Sequence, residues 1–139
     1  MKLMKIAHAE EEAMAVTPFQ DLPLADRRRH WDADEAEKRI REWAGAQDTP
    51  NDKYRKAFVF YDEHNKANFT AYKLPIADVV DGKLMAVPRA VIAAAAVLDG
   101  ARGGVDIPKE DIEKAKSHIA KYYQKMGEKA PWERTDSGA

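Results

Sequence analysis

The stretch AYKLPIADVVDGKLMAVPRAVIAAAAVLDGARGG, residues 71–104, holds the most apolar run of the chain, its clearest turn and its glycine cluster. Asp81-Gly82 is a dipeptide favoured in a two-residue type I′ hairpin, because both central positions need positive φ. Residues 76–80 and 83–87 then supply two short strands. The competing reading is a loop closing over the core, with Asp78 capping a turn. Pro88 suits the first turn of a helix, where a missing N–H costs nothing. RAVIAAAAVL, residues 89–98, continues it with arginine as its one polar residue. A helix apolar all round is normally buried on most sides. The alanine run 93–96 leaves so little side-chain volume that another element must come close. That element is either the core or a second copy of the chain. Gly100 fits a left-handed C-terminal cap, and Gly103-Gly104 permits a sharp redirection.

Downstream, Pro108 opens a helix predicted over 108–126. Ile112, Ala115, Ile119, Tyr122 and Met126 recur at helical spacing along it. Gly127 stops it, and residues 128–139 read as a tail in which Pro131-Trp132 is placed to tuck back. Upstream, YRKAFVFY (54–61) and FTAYKL (69–74) read as strands, antiparallel because their link is short. A helix is predicted over 33–46, capped by Asp32 or Asp34, with Ala36, Ile40, Trp43 and Ala44 on its apolar stripe. Pro18 and Pro23 hold the preceding residues extended, so that Phe19, Leu22 and Leu24 lie along the domain. Residues 1–16 carry only a weak helical pattern. The expected fold is α+β: a small antiparallel sheet and hairpins packed with about three helices (33–46, 88–98 and 108–126). An arm (1–21), a single domain (22–127) and a tail (128–139) divide the chain, with flexible termini.

The 139 residues fit one domain, and their 45% hydrophobic fraction supports a core. With 23 basic and 24 acidic residues the net charge is −1, so no whole-chain field draws nucleic acid or a membrane surface. There is no cysteine, which excludes disulfides, thiolate metal sites and thiol nucleophiles. No apolar run reaches the ~18 residues that a bilayer-spanning helix requires. The glutamates at 10–12 interrupt the apolar core that a signal peptide needs, which favours a cytoplasmic setting.

Arg27-Arg28-Arg29-His30-Trp31 is the basic-aromatic cluster. It reads in two ways: a phosphate-and-base platform, or a helix start whose ion pairs are supplied by Asp26, Asp32, Asp34, Glu35 and Glu37. Arg102, among glycines, is a candidate anion contact, although GARGG lacks the spacing of a phosphate loop. Tyr72, Lys73, Asp78, Arg89 and Arg102 flank the apolar stretch and are the polar residues best placed beside a groove. Asp78 and Arg89 equally suit a structural ion pair. The histidines, at 8, 30, 64 and 118, form no paired metal motif, and neither HExxH nor GxSxG occurs. No catalytic residue, cofactor or metal is expected. The candidate anion- or partner-binding residues are Arg27, Arg28, Arg29, Trp31, Arg89 and Arg102.

LPLADRRRHWD (22–32), AYKLPIADVVDGKLMAVPRAV (71–91) and GARGGVDIP (100–108), followed by a helix ending YYQKMG, resemble a small uncharacterised module of tailed bacteriophages and prophages. That module occurs alone or attached to head-morphogenesis proteins, including chains with a prohead protease. The resemblance covers about residues 22–127 and implies no catalytic residues. It implies a virion-associated or head-assembly protein working by protein–protein binding, in the virion or the host cytoplasm. The implied partners are capsid or other virion proteins, and the chain itself as a homo-oligomer. A nucleic-acid-binding accessory protein for packaging or replication is the alternative. No membrane partner is expected.

Overall fold

A computed structural model describes residues 14–100 and 109–134 of the chain. The fold is α+β, as expected. In order, its elements are β1 (Met14–Val16), α1 (Ala33–Ala44), α2 (Asp52–Arg55), β2 (Phe58–Asp62), β3 (Tyr72–Pro75), β4 (Ala77–Val80), β5 (Lys83–Ala86), α3 (Pro88–Leu98) and α4 (Lys109–Lys125). Single 3-10 turns cover Glu63–Asn65, Phe69–Ala71 and Pro131–Glu133.

The hairpin of β4 and β5 pairs Val80 with Lys83, and its turn has positive φ at Asp81 (51°) and Gly82 (79°). This is the conformation Asp-Gly favours, and it matches the right-handed twist of the strands. Ile76 joins the hairpin to the other sheet: its N–H donates to Ala57 O, and its carbonyl accepts from the Val87 N–H. That sheet has the antiparallel order β1-β2-β3. Met14–Val16, placed in the arm by its sequence, supplies its edge strand, and Thr17 continues the pairing through a bond to Val59 O. Residues 23–25 run beside β5, where Leu24 pairs with Ala86 in parallel.

β2 is buried on both faces. Val59 and Phe60 join a core with α3 and α4, while Phe58 and Tyr61 join a second core with α1. Tyr54, Phe58, Phe69 and Tyr72 pack in the second core with ring centroids 4.8–5.7 Å apart. Tyr54 stands on α2, a turn where a strand was predicted. Asn51 starts it by accepting the Tyr54 N–H, an N-cap that overrides the β preference of the residues behind it. The strand predicted from Phe69 likewise begins only at Tyr72, after a 3-10 turn.

α1 starts at Asp32, whose side chain accepts from the Glu35 N–H, and stops at Gly45 with φ 67°. α3 matches its prediction residue for residue. The Pro108 start predicted for α4 lies outside the described residues. Ala115, His118, Ile119, Tyr122 and Tyr123 form its buried face, and Met126 packs just beyond its end. Ala130 is buried behind it, and Trp132 is half-buried against the same core.

Candidate functional site

The basic-aromatic cluster is consumed largely by the fold. Arg27 reaches across to the end of α4, pairing with Glu128 at 2.7 Å and donating to the Met126 carbonyl. Arg29 turns inward and donates to Asp78 Oδ2 at 3.2 Å. Trp31 is half-buried beside Ala25, Val87 and Ala90. Arg28 points outward, with 90% of its side chain exposed and Asp26 3.7 Å away, and His30 is exposed near it. Together with His30, Arg28 and Arg29 edge a groove of about 610 Å³ floored by Leu24, Ala25, Val80 and Met85. Asp26 and Asp81 line the same groove, so its rim carries both signs of charge.

Among the described residues Asp78 is the most deeply buried acid, 1% exposed. Its Oδ1 accepts from Arg39 Nε at 2.9 Å and from the Val79 N–H at 2.7 Å, and its Oδ2 accepts from Arg39 Nη2 at 2.8 Å. Burial pushes its carboxyl up. The bonds from Arg39, Val79 and Arg29 outweigh that push and hold it below the ordinary value of 3.8. The Asp78–Arg89 ion pair, one of the two readings the sequence left open, is not made: Asp78 pairs with Arg39 and Arg29. The inward register of β4 aims Asp78 at α1 and the turn before it, whereas Arg89 lies exposed at the start of α3. Two arginines on one carboxylate make a structural clamp between hairpin and helix.

Of the other residues singled out, Tyr72 is buried and its hydroxyl donates to the Lys66 carbonyl at 2.7 Å. It lines a shallow depression of about 340 Å³ with Asn51, Asp52, Arg55 and Lys66. The cations there are already engaged, Arg55 with Asp52 and Lys66 with Glu63. Lys73 is exposed on β3. Arg102 lies outside the described residues. Among the described residues no cluster of His, Cys, Asp or Glu has the geometry to hold a metal. None of the described helices is long and apolar enough to cross a membrane.

His118 is a buried histidine whose position on the inward face of α4 was legible from its spacing to Ala115 and Tyr122. Its Nδ1 lies 2.8 Å from the Thr17 carbonyl, so this nitrogen carries the proton. Phe19 packs edge-on against the ring and Tyr122 beside it. Burial lowers its pKa below 6.5, the Thr17 bond opposes that shift, and Lys121 adds to it. The folded chain thus holds His118 neutral, while the unfolded chain protonates near 6.5. Stability is lost as pH falls through 6.5 towards the folded value, because the unfolded state then binds more protons. Melting curves between pH 8 and pH 5 should show a falling midpoint that is flattened in His118→Gln. Equal slopes for both proteins would refute the assignment.

The remaining surface feature is α3 itself. Ala90, Val91, Ala94, Ala95 and Leu98 face the core. Arg89, Ile92, Ala93 and Ala96 face outward, and Ile92, at 48%, is the exposed large hydrophobic residue among the described residues. The alanine run therefore divides: Ala94 and Ala95 let α4 approach, and Ala93 and Ala96 leave a flat apolar strip outside. Comparison with protein-family models, curated proteins and solved structures yields no match.

Proposed function

We propose that this chain is a non-catalytic protein-binding component of a tailed phage, associated with the virion or with head assembly. The observation that carries the reading is the outward face of α3. An isolated exposed apolar residue needs no explanation, but a continuous apolar strip on a helix does. The phage setting rests on the sequence resemblance over residues 22–127. The nucleic-acid alternative has less support, because Arg27 and Arg29 are held by Glu128 and Asp78 and the remaining rim has mixed charge.

Quantitative mass spectrometry of purified particles tests the proposal. The protein should be present at a fixed copy number per particle, and Ile92→Glu should reduce that number sharply without unfolding the chain. Absence from particles, or undiminished incorporation of the variant, would contradict it. A salt-titrated DNA and RNA shift assay should show no binding at low salt, where phosphate contacts are strongest.

A further inference from the structure

The charges at the two ends of α3 oppose its own dipole. A helix favours acidic groups at its N-terminus and basic groups at its C-terminus. α3 has Arg89 directly after Pro88 and Asp99 as its C-cap, with no acid in its first turn and no base in its last. Among the described residues neither Arg89 nor Asp99 has an ion-pair partner. Both flank the outward strip of Ile92, Ala93 and Ala96, and helical spacing puts Arg89, Ala93, Ala96 and Gly100 within one narrow stripe.

We propose that α3 pairs antiparallel with the α3 of a second copy of this chain, across a two-fold axis near the middle of the helix. This rests on reading α3 as a contact surface and names its occupant. The two charges lie ten positions apart, about 15 Å along the helix. Rotation about the axis sets Arg89 beside the partner's Asp99, and Asp99 beside the partner's Arg89. Each charge then meets its opposite, and each helix end meets the opposite end of another dipole. A two-fold contact of this kind is self-complementary, as an isologous interface requires. Ala93 and Ala96 permit the helix axes to approach to about 8 Å, the close end of the packing range. Ile92 of each copy then covers the partner's alanines. A parallel pair would stack like charge on like charge, so the charge pattern selects the antiparallel arrangement.

The test is the mass of the purified full-length protein in solution across a concentration series. The wild type should pass from monomer to dimer as concentration rises. Ile92→Glu should remain monomeric. Arg89→Asp and Asp99→Arg should each raise the dissociation constant at least tenfold, and the double exchange Arg89→Asp/Asp99→Arg should return it close to the wild-type value. Each single exchange places a charge that suits its own helix dipole, so thermal stability measured at concentrations where the wild type is monomeric should not fall, and loss of dimer cannot be ascribed to unfolding. A wild type that stays monomeric throughout overturns the pairing, as does a double exchange no better than the singles. If the protein is monomeric yet enters particles through Ile92, the pairing falls and the protein-binding reading stands. If it dimerises but is absent from particles, the pairing stands and the phage assignment falls.

Discussion

Arg39→Met should lower the stability of the fold by about 1–3 kcal/mol, the cost of leaving a buried acceptor short of its partner; Asp78 is buried, whereas the Arg39 side chain is 44% exposed. The substitution keeps the apolar stem on α1 but removes both bonds that Arg39 makes to Asp78. The carboxylate remains buried with a single bond from Arg29 and one from the Val79 N–H. Arg29→Met should cost less, because it removes one bond of 3.2 Å where Arg39→Met removes two shorter ones. In the wild type the folded carboxyl lies below 3.8, so its contribution is present above that pH and is lost as pH falls through the folded value. Without Arg39 the burial that pushes the carboxyl up is less opposed, and the gain in stability between pH 3 and pH 5 should shrink. Denaturant titrations of the three proteins at both pH values check this. Equal stability of Arg39→Met and wild type would show that Asp78 is held by something else.

Tyr122→Ala should cost about 3–5 kcal/mol, as removal of a fully buried aromatic ring generally does. The ring is fully buried, with Phe19 at 4.8 Å and His118 at 5.8 Å between centroids. Its hydroxyl accepts the Leu22 N–H at 3.2 Å, and burial pushes its pKa up to about 12, so it stays protonated across the ordinary pH range. Around it, Lys125 holds Asp21 and the Leu22 carbonyl, and Arg27 holds Glu128. These bonds fasten residues 19–27 along the end of α4. Tyr122→Phe removes only the hydroxyl acceptor and should cost about 1 kcal/mol, the value of one hydrogen bond. Proteolysis should cut the alanine variant faster between residues 18 and 28. Unchanged cleavage there would mean that the fastening does not depend on Tyr122.

Local signals in the sequence were the ones that could be read. Asp81-Gly82, Pro88, Gly45 and Gly127 act through the φ of single residues, and the hairpin and helices they bound stand where expected. The face of α4 follows from a period that needs no partner to be seen. Long-range pairing was not legible. Asp78 meets Arg39 and Arg29 across 39 and 49 positions, and no spacing rule connects them. One signal was available: a lone carboxylate in the apolar strand IADVV requires a buried cation, although it does not say which. Thr17, which bridges β1 to His118, looked like part of an arm because edge strands of a few residues carry no periodicity. The outward face of α3 was hidden by its own composition. A helix apolar on every side does not declare which side lacks a neighbour, and the charge reversal at Arg89 and Asp99 gains meaning only once that side is known.

If protein covers the outer face of α3, one introduced thiol will report it, because the chain has no cysteine of its own. Ala96→Cys should react with a small thiol reagent several times more slowly as the protein concentration rises. Lys38→Cys, exposed on α1, should react at a constant rate. If both thiols react at rates independent of concentration, and Ala96→Cys stays equally open when particles are added, the face of α3 is not an interface.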